Sequence, residues 1–354
     1  MPVIRRQAAA SSLPQVKDVA RLARVSTATV SRVLSGIGGV SENLVLRVRR
    51  AAERLNYAPN RAARSLRVRR AQSIGIIVPD IENPFFTSVM CGADGVLQDA
   101  GYTMIVANLD ENPEREQVHL NTIRGEGVAG VIFTPTIAQA ADYRTLQDCG
   151  VPLVAVSRRP HNLNVDFVGV TNEDGSKEAV EHLIALGHRR IAFVGGAAKV
   201  SSTQDRLAGY RRAMAEAGFD ADSDLILFGD LRQSGGYEAM LRILELPQQP
   251  TAIFSGTNFT TLGLLRAIHE KGIRIPEEMA MVGFDDMPWA GSLQPPLTSV
   301  AQPTNEIGRV AAQLLLARLR DPKRPLEEVT LPTTLIVRAS CGATRHLDMV
   351  RSRK

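Results

Sequence analysis

The feature that most constrains this chain's fold is an alternation of short, β-branched apolar segments with longer helical stretches, which runs once through the chain and then starts again. The first round begins at Ser73 with SIGIIVP, a helix after Pro84, YTMIVAN, a helix over residues 115–124, GVIFTP, a helix before Gly150 and PLVAVS. After FVGVTNEDG the second round brings RIAFVGG, LILF, TAIF and MAMVGF, separated by helices such as 178–186 and 206–217. Strands this uniformly apolar are buried on both faces, which is the pattern of parallel sheets covered by helices. The repetition predicts two doubly wound parallel-sheet α/β subdomains, and ligands of such sheets sit beyond the carboxyl ends of the strands, so the cleft between the two is the expected pocket.

The first seventy residues read differently. They hold 15 Lys+Arg against 3 Asp+Glu, a net of +12, while the remaining 284 residues carry −7. A basic head on an acidic body suits phosphate binding, because neutralised phosphates release counterions. Val16, Val19, Ala20 and Ala23 fall at helical spacing, Arg24-Val25-Ser26 interrupts, and Val30, Val33 and Leu34 resume the apolar stripe. Two short helices at an angle are predicted, Ser26 capping the second, followed by a third over residues 42–55 capped by Ser41. Thr27, Ala28, Thr29, Ser31 and Arg32 lie opposite the apolar face of the second helix, where small polar residues and one fork-shaped donor fit a major groove.

The runs VKDVARLARVSTATVSRVL, VS and LNYAPNRAARSL resemble the headpiece of the LacI/GalR repressor family. The resemblance implies that Thr27, Ala28 and Arg32 are the main base readers, and that Val16, Lys17, Ser26, Thr29, Ser31 and Asn60 contact backbone or bases. One departure is Arg24, at a turn position that is often Gly or Asn; a left-handed backbone there costs about 1 kcal/mol without glycine. Residues 60–66 have the length of about two helical turns, marginal alone. The family implies a hinge helix formed with a dimer mate on DNA, Ala63 and Leu66 entering the minor groove and Leu66 wedging a base step; the alternative is a plain linker. The expected division is a headpiece over 14–59, a hinge and linker over 60–70 and a sensor over 71–344, its N-subdomain at about 71–171 and 302–332 and its C-subdomain at about 172–301 and 333–344.

The body from Ser73 onward resembles, over essentially its whole length, the periplasmic-binding-protein-like sensor of the same family, which implies chain crossings near Thr171, Ala301 and Pro332. Candidate effector-binding residues at strand ends are Asn83, Phe85 and Phe86, for which core packing is the competing reading, then Ser157, Ser202 and Arg206, Asn258, Asp285 and Gln302. Arg206 and Asp285 occupy the family's ligand-binding arginine and aspartate positions, the arginine expected at a helix start. Ser157 stands where many members have aspartate, Thr257-Asn258 replaces a common Asn-Asp pair, and Leu231 replaces a stacking aromatic. With Arg158 and Arg206 and fewer acids, the pocket is expected to suit an anionic ligand better than a neutral sugar, within the wider class of sugars, sugar acids, phosphates and similar polar metabolites.

The expected function is a sequence-specific, operator-binding dimer controlled by a small effector. An α/β enzyme or transport receptor, and a regulator tuned by a partner protein, are the competing classes. No P-loop and no GxGxxG after a strand is present, Cys91, Cys149 and Cys341 lack metal spacing, and His119, His182 and His188 lack catalytic partners, so no cofactor, metal or enzymatic activity is expected. With no bilayer-length apolar run, a cytoplasmic location without membrane contact is expected.

Overall fold

The computed structural model describes residues 14–34, 39–57, 72–136 and 143–343. The chain divides into two compact units, Met1–Ala71 and Gln72–Lys354.

In the first unit, α1 (Val16–Ala23), α2 (Thr27–Leu34) and α3 (Glu42–Arg54) close on a core of Val19, Ala20, Ala23, Val30, Val33, Val48, Ala51 and Ala52. Alanines and valines let such short helices approach closely, so a minimal set of side chains fills the interior. Ser26 Oγ accepts from the Thr29 amide at 3.1 Å, fixing the start of α2. Ser41 does not do the same for α3. It sits extended at the N-cap without a side-chain hydrogen bond, and the exposed first turn leaves its amides to solvent. Arg24 adopts the left-handed conformation, φ 50° and ψ 52°. Arg47 on α3 answers that turn: its Nη2 donates to the Ala23 carbonyl at 2.6 Å, a cation placed on the open carbonyl end of α1.

The second unit holds two six-stranded sheets. Its strands are β1 (Ser73–Val78), β2 (Thr103–Asn108), β3 (Gly130–Phe133), β4 (Leu153–Val156), β5 (Asp166–Val170), β6 (Ile191–Gly195), β7 (Ile226–Phe228), β8 (Ala252–Ser255), β9 (Ala280–Phe284), β10 (Thr298–Ala301), β11 (Glu328–Leu331) and β12 (Thr334–Ile336). The first sheet runs β11-β5-β4-β3-β1-β2, parallel throughout. The second runs β12-β10-β9-β8-β6-β7, and only β12 is antiparallel, to β10. The helices are α4 (Pro84–Asp99), α5 (Pro113–Glu126), α6 (Arg144–Asp148), α7 (Asn172–Ala185), α8 (Ser201–Glu216), α9 (Gln233–Glu245), α10 (Asn258–Glu270) and α11 (Thr304–Arg320). Helices α7 and α8 begin well before the 178 and 206 that apolar periodicity suggests, because their first turns are polar yet buried at Asn172, Ser202 and Thr203. Among the described residues no helix is long and apolar enough to cross a membrane.

The chain passes between the sheets after β5, after β10 and between β11 and β12. Thr171 and Thr333 tie the first and third passages together, the Thr333 amide donating to Thr171 Oγ1 at 3.0 Å. After the second passage α11 returns to the first sheet and packs backbone to backbone on α4. A Cβ on Gly92 would stand 1.9 Å from the Asn305 carbonyl oxygen, and one on Gly308 would stand 1.9 Å from that of Val89. Arg318 of α11 then forks onto the Asp166 carboxylate of β5, at 2.8 and 3.0 Å, in a pair whose aspartate is fully buried. Removing one partner of such a pair costs about 3–5 kcal/mol, so α11 is held firmly to this sheet.

Candidate DNA-reading helix and ligand cleft

On the headpiece, burial separates the face of α2 that packs from the face that is presented. Val30 and Val33 are buried; Thr27, Ala28 and Arg32 are exposed, while Thr29 and Ser31 are half-buried. Lys17 is exposed and Val16 half-buried at the start of α1. Ser26 and Thr29 are partly spent on each other, their hydroxyls 2.9 Å apart. The exposed residues therefore form a short polar ridge with Arg32 one turn along, and Arg24, Arg47, Arg49, Arg50 and Arg54 are exposed elsewhere on the same small unit. Cationic side chains around a presented helix suit a polyanion, phosphate contacts setting position and base edges setting specificity. Asn60, Ala63 and Leu66 lie outside the described residues.

In the second unit one cleft gathers every sequence-predicted effector residue: Asn83, Phe85, Phe86, Ser157, Ser202, Arg206, Asn258, Asp285 and Gln302. Strand ends and helix starts from both sheets supply them, as doubly wound topology requires. Asn83 caps α4, its Oδ1 accepting from the Phe85 amide at 3.0 Å, and that turn sets both phenylalanines. Phe85 and Phe86 meet edge to face at 5.0 Å and belong to the hydrophobic core as well as to the cleft wall, so the two readings of these rings are compatible. Across the cleft, Asn83 and Asn258 exchange amide hydrogen bonds of 2.7 and 3.2 Å. Asp285 Oδ2 accepts from the Asn258 amide at 3.1 Å, and its Oδ1 accepts from Gln302 Nε2.

Arg206 lies in the second turn of α8, not at its start as expected, because the helix begins at Ser201. Its Nε donates to Asn172 Oδ1 at 2.9 Å and its Nη1 to the Gly256 carbonyl at 2.7 Å, and the guanidinium stacks 3.7 Å over the Phe284 ring. Burial pushes its pKa down to about 10, with Asp285 and Asp205 pulling the other way; it stays a cation at neutral pH. The neighbouring carboxylate Asp286 faces away from this duty, paired with Arg338 at 2.6 and 3.0 Å.

Beside Thr257, the cleft also contains two groups that strand-end reasoning passes over, Asp80 and Glu111. Glu111 follows β2 in LDEN, so the rule that found Asn83 after β1 would have found it after β2. It changes the electrostatics. Arg158 is not an open cation, since its Nη2 meets Glu111 Oε1 at 2.6 Å and its Nη1 meets Oε2 at 3.2 Å. The lining therefore carries three carboxylates, on Asp80, Glu111 and Asp285, against two guanidinium groups. This geometry weighs against the expectation of an anion-seeking pocket, because one of its two cations is already paired. Four lining residues other than glycine, Glu111, Ser157, Leu231 and Asp285, have positive φ, a clustering of backbone strain found where side-chain placement matters more than local stability.

Residues 15–60 match the bacterial regulatory proteins of the lacI family, and residues 180–341 match the periplasmic binding protein-like domain. The ribose operon repressor of Haemophilus influenzae is 34% identical over 329 residues, 92% of this chain and 98% of that protein. Among solved structures, the lac repressor dimer bound to operator and the anti-inducer ONPF aligns at TM-score 0.81 and 26% identity, covering 93% of this chain and 99% of that one. A LacI family transcriptional regulator from Enterococcus faecium with bound ribose aligns at TM-score 0.69 and 29% identity, covering 76% and 98%.

Proposed function

The chain belongs to the LacI family of bacterial regulatory proteins, and from that premise we propose that its cleft takes a small, uncharged, polyhydroxylated effector of pentose size. It is a DNA-binding transcriptional regulator of the repressor type, acting as a dimer on a palindromic operator. The reading extends to its residues: Thr27, Ala28 and Arg32 read bases, Val16, Lys17, Ser26, Thr29, Ser31 and Asn60 support them, and Ala63 and Leu66 enter the minor groove. The protein works in the cytoplasm, where its operator is.

One observation carries the choice of effector. Asp285, Gln302, Asn258, Asn83 and Arg206 converge on one cleft with the rings of Phe85 and Phe86 beside them, an arrangement of acceptors, donors and an apolar wall that matches the two kinds of surface a sugar presents. The ribose bound by a neighbour and the name of a close relative point the same way. The Asn83–Asn258 exchange links the two walls, so an effector that replaces it shifts the balance between open and closed clefts and thereby the presentation of the headpieces. Isothermal calorimetry of the full chain against D-ribose, other neutral pentoses and hexoses is expected to give saturable heat for at least one. Silence from all of them, together with no thermal stabilisation, removes the reading and favours control by a protein partner.

A further inference from the structure

Resting on the reading of the cleft as an effector site, we propose that Glu111 determines specificity there by charge: it holds Arg158 neutralised, and this pairing excludes anionic analogues of the effector.

The pair is built into the wall. Both side chains are only 9% exposed, and the Arg158 fork spends two donors on the two carboxylate oxygens while its Nη1 also donates to the Pro135 carbonyl at 3.0 Å. A guanidinium this desolvated, without a carboxylate, is a strong anion receptor, because bidentate recognition of carboxylate or phosphate is what its planar fork fits. Here Glu111 already occupies that fork. The backbone makes a costly accommodation to put it there: Asp110 and Glu111 are consecutive left-handed residues, φ 54° and 49°, and the Glu111 amide is tied to the Pro79 carbonyl at 2.7 Å. Neither is glycine, and both conformations are disfavoured for residues with a Cβ. Asp80 and Asp285 add two further carboxylates to the lining, so an incoming anion meets repulsion and no open cation at this wall.

The test compares D-ribose with its carboxylate analogue D-ribonate on the full-length protein by calorimetry. Wild type is expected to bind ribose and to bind ribonate at least about tenfold more weakly. Glu111→Gln, which keeps the shape and removes the charge, is expected to raise ribonate affinity by about tenfold or more. The double variant Glu111→Gln/Arg158→Gln, with an amide pair in place of the ion pair, is expected to lose that gain. Ribonate affinity unchanged by Glu111→Gln, in a protein with native far-ultraviolet circular dichroism, overturns the inference, as does a gain that persists in the double variant. If Glu111→Gln does not fold, Arg158→Gln is set against the amide pair: the retained carboxylate should hold ribonate binding about tenfold below, and equal affinities overturn the inference. Failure of wild type to bind ribose removes ribose as the effector, while the change in ribonate affinity from wild type to Glu111→Gln still reads the charge of this wall: a gain supports the inference and no gain overturns it.

Discussion

The headpiece and the cleft solve opposite problems with similar side chains. On α2 the groups offered to a partner are exposed and largely uncommitted, Thr27 and Arg32 among them. In the cleft almost every polar group is engaged before a ligand arrives: Asp285 by Asn258 and Gln302, Arg206 by Asn172 and Gly256, Arg158 by Glu111. A DNA surface brings its own fixed geometry and charge, so the protein gains by presenting free donors. On the proposed reading a small effector trades places with existing hydrogen bonds, and that exchange would couple its binding to closure.

Removing a committed group should therefore hurt more than removing a free one. Asp285→Asn is expected to weaken effector binding by about 2–5 kcal/mol, since it removes the buried charged acceptor that the Asn258 amide and Gln302 now hold in the cleft; calorimetry reads this, and operator affinity without effector should stay unchanged. Arg32→Ala is expected to lose about 1–3 kcal/mol of discrimination between operator and random DNA; equal discrimination in competition gel shifts would remove Arg32 as a base reader. Ser26→Ala, which deletes the one cap of α2, should lower headpiece stability by about 1 kcal/mol in denaturant unfolding. Arg24→Gly should raise that stability by up to about 1 kcal/mol by relieving the left-handed backbone. A loss there instead means that the Arg24 side chain contributes more than its conformation costs.

The same contrast explains what was legible in the sequence. The headpiece is one contiguous stretch whose apolar spacing and Ser26 cap are written locally, whereas the idle Ser41 side chain and the Arg47 contact to Ala23 depend on the folded arrangement. The two-sheet architecture follows from strand-helix alternation. The cleft draws single residues from many strand ends, so position finds the members while pairings stay hidden. Arg158 reads as an open cation until Glu111, 47 residues earlier, is seen to face it. Helix starts at Asn172 and Ser201 stay hidden in the sequence for a related reason: a buried polar turn has no apolar period to betray it.

The return of α11 and β11 to the first sheet also bears on how the protein is made. Val89 and Gly308, and Asp166 and Arg318, meet across long stretches of chain, so the first sheet lacks its last strand and one covering helix until residue 331 has left the ribosome. The three short helices near the amino terminus need nothing downstream for their core. During synthesis, then, the three-helix core of the headpiece can close while the part that forms the cleft is still a partial fold, so the two units are completed at different times on the same chain.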